Sequence, residues 1–110
     1  MITININIDE NNIINFVKIS GHAGFDKKGS DIVCASVSIL VYSIHLSLKK
    51  LPDLSFDFFD RTNEILLLVE NYQDNILGEL KGISLYFISG LKLLERDYNK
   101  YITIDLNKGE

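Results

Sequence analysis

A two-layer α+β domain is the fold class this sequence predicts: a mostly antiparallel sheet of about five strands, with two helices, in the order ββαββαβ. Three observations carry that expectation. Short runs near both ends and in the middle alternate apolar and polar residues with period two. Two longer runs place apolar residues at every third or fourth position. Turn-forming residues separate these runs, and there is no internal repeat, linker or low-complexity tract. A chain of 110 residues has room for one core, so residues 1–110 read as a single domain.

Each element has its own justification. Ile2, Ile4, Ile6 and Ile8 alternate with Thr3, Asn5, Asn7 and Asp9, the pattern of a strand with one buried face. Glu10-Asn11-Asn12 supplies a turn, because asparagine tolerates left-handed backbone angles. Ile13 to Ser20, rich in β-branched and aromatic residues, completes a hairpin. Gly21 to Ser30 holds three glycines, two lysines and an aspartate, which is loop chemistry. Asp31 to Leu51 is apolar at helical spacing, with Ser30 or Asp31 as N-cap. The Lys49-Lys50 pair and Pro52 mark its end, since cations suit the negative end of a helix and proline cannot continue one.

Leu54–Phe59 and Glu64–Glu70 read as two further strands joined by Asp60-Arg61-Thr62-Asn63. A second helix spans about Asp74 to Arg96, with the stripe Ile76, Leu80, Ile83, Phe87, Leu91 and Leu94. Gly78, Gly82 and Gly90 within it each cost about 1 kcal/mol relative to alanine, and their expected use is to let another backbone approach. Tyr101 to Leu106 is a last strand. The first helix carries little charge around its circumference and needs cover on more than one side. A second copy of the chain could supply that cover, so a homodimer is expected.

Composition excludes several functions. Eleven basic against fifteen acidic residues give a formal charge of −4, which argues against direct nucleic-acid binding. One cysteine permits no internal disulfide, and a reducing, cytoplasmic setting is the simplest reading. MITININIDE does not read as a signal peptide. Ile32 to Leu48, the most apolar stretch, is broken by four serines and His45, so no membrane span is expected. One cysteine and two histidines are too few for a usual zinc site, and no cofactor is called for.

The residues that do not look like scaffold lie together. His22 stands at the mouth of a glycine-bearing loop straight after a strand, and Cys34 stands in the first turn of the helix that the loop enters. Unpaired amides and the helix dipole place partial positive charge there, which favours a thiolate over a thiol. An imidazole within reach makes the pair an activated nucleophile. The loop is short enough to close at little entropic cost. His45, eleven residues beyond Cys34, lies roughly 16 Å up the helix axis and cannot touch the thiol; it reads as core or dimer-facing. A lone helical cysteine is more often packing than chemistry, and His22 alone reads as a loop residue with one hydrogen bond. Asp31 is most simply a cap, and Lys27 and Lys28 a solvated face. A binding module with a packing cysteine is therefore the rival reading, and a redox sensor would lack a resolving cysteine.

A resemblance tips the balance. Gly21-His22-Ala23, the loop to Gly29, then Asp31-Ile32-Val33-Cys34-Ala35 with Val37-Ser38 resembles the signature of the ribosomal-processing cysteine protease family, Prp. Size, element order and the Gly90-Leu91-Lys92 to Tyr101 stretch are similar as well, with Ser36 where the family has a second alanine. The resemblance implies a homodimeric cysteine endopeptidase that removes the N-terminal extension of large-subunit ribosomal protein twenty-seven after an aromatic pair. His22 falls on its catalytic histidine and Cys34 on its nucleophile, with Gly21, Gly29, Asp31 and Ser38 in supporting or substrate-binding places. Residues 23–30 are then expected to close over the peptide, and amides at the start of the first helix to serve as oxyanion donors. The non-enzymatic alternative is a ribosome-associated dimeric binding module.

Overall fold

Alternation turns into pairing first at the N-terminal hairpin. In the computed structural model, which describes residues 1–27 and 30–109, strand β1 (Ile2–Ile8) runs antiparallel to β2 (Ile14–Gly21). The turn works as the sequence suggests: Asn12 takes φ +62°, and Asp9 Oδ1 accepts from the Asn11 and Ile13 amides at 2.9 and 3.0 Å. Helix α1 (Ile32–Leu48), strands β3 (Ser55–Arg61) and β4 (Glu64–Asn71), helix α2 (Leu77–Asp97) and strand β5 (Ile102–Lys108) follow. The order is ββαββαβ, as predicted, with one 3-10 turn (Asp74–Ile76) leading into α2.

The sheet order is β3-β4-β2-β1-β5. Every neighbouring pair is antiparallel except β1 and β5, which run parallel with Ile2 opposite Ile102 and Ile6 opposite Leu106. The sheet is thus mixed, and β1 is gripped between the strand that follows it and the last strand of the chain. Ile2, Ile4 and Ile6 are buried while their alternating neighbours are not, so one face is covered. The cover is α1, through Val33, Val37, Val41, Ile44 and Leu48, and α2, through Leu80, Phe87 and Leu91. Buried Ser84 on α2 accepts a hydrogen bond from the Ile14 amide at 3.1 Å, fixing helix to sheet where the β1–β2 register shifts.

Three expectations need correction. Helix α1 stops at Leu48, not Leu51; the amides of Lys50 and Leu51 turn back onto Ser47 and Leu48 in a tight turn before Asp53, which has φ +55°. The strands β3 and β5 run two residues past their expected ends, to Arg61 and Lys108, because cross-strand partners continue there. The glycines of α2 meet no backbone: Gly78 and Gly82 face open space, and Gly90 seats the Leu40 side chain of α1. No helix among the described residues is long and apolar enough to cross a membrane.

Candidate active site

The end of β2 is shaped by one contact. Gly21 has φ +85°, and a Cβ there would fall 2.4 Å from the Met1 carbonyl oxygen on β1's leading edge. Only glycine fits this position. Its amide donates to the Asn63 carbonyl at 3.4 Å, so the last residue of β2 is tied to the β3–β4 turn. His22 emerges next, exposed, with its Nε2 3.1 Å from Asn63 Oδ1. Ala23 is buried and anchors the start of the loop.

The helix start is organised by Asp31. Its backbone is extended, and its Oδ1 accepts from the Val33 and Cys34 amides at 3.0 and 2.9 Å. Its Oδ2 accepts from the Phe25 and Asp26 amides at 3.1 and 3.4 Å. One carboxylate therefore caps α1 and pins the incoming loop. The Cys34 amide is the main reason the Asp31 carboxyl sits below its ordinary value; desolvation opposes this, and the Asp26 and Phe25 amides and the Cys34 thiol add to it. The loop is held from its other side by Phe25, whose ring packs edge-on against Tyr98 and Tyr101 at 5.8 and 5.1 Å.

Asp31 also corrects an expectation. Of the amides at the start of the first helix, expected to serve as oxyanion donors, two, those of Val33 and Cys34, already donate to this carboxylate. An N-cap aspartate satisfies the same orphan donors that an oxyanion would use.

Cys34 is a half-buried free thiol flanked by two clefts. The first, of about 200 Å³, runs between α1 and the sheet; Ile19, Val37, Val41 and Ile65 give it apolar surface, and Asp60, Arg61 and Glu64 give it charge. Ser38, one helical turn beyond Cys34, lines this cleft. The second, wider cleft of about 740 Å³ lies on the loop side, against Gly24, Asp26, Asp31 and Ala35. His22, Cys34, Thr62 and Asn63 border both. The structure therefore brings together Gly21, His22, Asp31, Cys34 and Ser38. Gly29, expected to support the site, and Lys28 lie outside the described residues.

Thr62 and Asn63 were legible only as a connecting turn. They are about forty residues from His22 in sequence, and only the placement of β4 beside β2 delivers them. His45 belongs to neither cleft. It is half-buried and stacks on Phe58 of β3 at 3.9 Å, with Phe56 edge-on at 6.1 Å. Burial, with a smaller repulsion from Lys49, lowers its pKa from the ordinary 6.5.

A strand-end histidine and a helix-start thiol sharing a cleft are the parts of a thiol hydrolase. The family model described as cysteine protease Prp matches residues 1–103, and the chain belongs to that family of cysteine proteases. Among solved structures, the ribosomal processing protease Prp from S. aureus with a covalently linked product peptide is 24% identical, with a TM-score of 0.80 over 99% of this chain and 100% of that one. The same S. aureus protease with a substrate peptide is 22% identical, with a TM-score of 0.77 over 97% of this chain and 100% of that one. SMU.848 from Streptococcus mutans is 22% identical, with a TM-score of 0.74 over 99% and 96% of the two chains. These likenesses concern the fold. No curated protein sequence matches this one.

Proposed function

We propose that this chain is a cytoplasmic endopeptidase that removes the N-terminal extension of large-subunit ribosomal protein twenty-seven, with Cys34 as nucleophile and His22 as its base. The observation that carries the reading is the shared border of two clefts by His22 and Cys34 at the first turn of α1. Family membership supports the reaction class, and the apolar surface of the smaller cleft suits the aromatic side chains expected beside the cut.

The chemistry follows from the groups present. The Cys34 Sγ–H proton passes to His22, and the sulfur attacks the scissile carbonyl carbon. Collapse of the tetrahedral intermediate breaks the C–N bond, while the imidazolium returns the proton to the leaving amine. Water, deprotonated by His22, then hydrolyses the thioester and regenerates the thiol. Asp31 holds the helix start that carries the sulfur, and Gly21 the strand end that carries the imidazole.

We infer further that the protein works as a homodimer. Ile39 and Leu93 are exposed beside Tyr86, which is 77% exposed, along a groove between α1 and α2. An apolar helical face of this kind fits a second copy of itself better than water.

The test uses a peptide spanning the ribosomal extension and the mature terminus, with products weighed by mass spectrometry. A single cut by the wild-type chain is expected. Cys34→Ser should lose about 10³-fold or more in kcat and keep its melting temperature. Undiminished cutting by Cys34→Ser would remove the nucleophile from the scheme, and a folded wild-type chain that leaves the peptide whole would overturn the substrate assignment.

A further inference from the structure

The smaller cleft's polar wall holds a residue to which the reaction scheme gives no task. Asn63 reaches the site twice. Its carbonyl accepts from the Gly21 amide, immediately before His22, and its side-chain Oδ1 lies 3.1 Å from His22 Nε2. The first contact fixes the backbone from which the imidazole departs. The second engages Nε2 and leaves Nδ1 without a hydrogen bond among the described residues, beside the clefts that Cys34 also borders.

We propose that Asn63 is the positioning residue of a Cys34–His22–Asn63 triad, a role that rests on the protease reading above. An amide oxygen is an acceptor, so it selects the neutral tautomer with the proton on Nε2. The lone pair is then on Nδ1. When Cys34 gives up its proton, Nδ1 receives it, and the imidazolium retains its Nε2–H bond to Asn63. No proton moves to Asn63 at any step. Papain-like proteases hold their histidine with an asparagine on an unrelated fold, so the arrangement is chemically sufficient. Here the asparagine comes from a hairpin turn joining β3 and β4, which the order β3-β4-β2 sets beside the histidine.

The site around the pair supports this assignment over a merely structural one. Asn63 is exposed and caps nothing in the core. It borders both clefts along with His22 and Cys34. Thr62, its neighbour in the turn, borders them too, but no hydrogen bond joins Thr62 to His22 among the described residues.

The experiment compares wild type, Asn63→Ala and Asn63→Asp on the extension peptide, with ring-nitrogen NMR of His22 on each protein without substrate. Asn63→Ala should lower kcat about 10- to 100-fold, with KM changed less than about threefold and the melting temperature kept. Asn63→Asp retains an acceptor at the same reach and should recover most of the rate. The His22 spectrum should show the Nε2–H tautomer in wild type and Asn63→Asp, and a tautomer mixture in Asn63→Ala. A wild-type rate with Asn63→Ala, or an unchanged His22 spectrum, would overturn the proposal while leaving the protease reading intact. A wild-type chain that does not cut would sink the protease reading, and the NMR result would still decide whether Asn63 sets the tautomer.

Discussion

A single methyl group at position 21 would displace the backbone that carries His22. Gly21→Ala would put Cβ 2.4 Å from the Met1 carbonyl oxygen at φ +85°, so the end of β2 must shift, at a cost of at least about 1–2 kcal/mol for the left-handed backbone alone. The expected outcome is a lower melting temperature and a fall in kcat/KM out of proportion to it, because the displaced backbone carries the imidazole. Calorimetry beside peptide-cleavage kinetics checks this, and a variant as active and stable as wild type would remove Gly21 from the site. At this scale the sequence was informative where chemistry is local. A glycine before His22 and a cysteine three residues after a capping aspartate are visible as neighbours. Asn63 was not, because a partner for His22 from a turn some forty residues away depends on which strands lie side by side. Nor was the double use of Asp31, whose second oxygen takes the Phe25 and Asp26 amides.

Helix α1 meets the sheet through a titratable contact. His45 stacks on Phe58 of β3, and burial holds its pKa below 6.5. The unfolded chain takes up a proton as pH falls below 6.5, whereas the folded chain resists it. Stability contributed here is therefore complete above that pH and lost progressively below it. His45→Phe keeps the stack and removes the proton site, so its melting temperature should fall less than that of wild type between pH 7 and pH 5; parallel curves would refute the assignment. Elements themselves were readable because burial imposes their periods. The limits were at ends and in pairing: α1 closes three residues early, since a tight turn onto Ser47 and Leu48 forms ahead of Pro52. Gly90 looked like a site of backbone approach, but the absent side chain makes room for Leu40.

For the molecule as a whole, most of the exposed large apolar side chains among the described residues lie on the helices, Ile39, Tyr86 and Leu93 among them. Tyr86→Glu places a charge on the α1–α2 face and should convert a dimer to a monomer at micromolar concentration in sedimentation equilibrium; a wild-type chain that sediments as a monomer would dismiss the dimer. The two-layer class and the order of elements were legible from periodicity, yet the sheet's neighbour list was not, because period two is the same in parallel and antiparallel strands. That list contains the parallel pair of β1 with β5, reinforced where the Ile2 amide donates to the Tyr101 carbonyl at 2.8 Å. During translation β1 is made first and β5 last. The oldest strand therefore waits for the newest before its second edge is sealed, and a nascent chain short of residue 102 has no finished sheet. A chain cut back before residue 102 would leave that edge of β1 bare, so the sheet's centre depends on residues a hundred positions away.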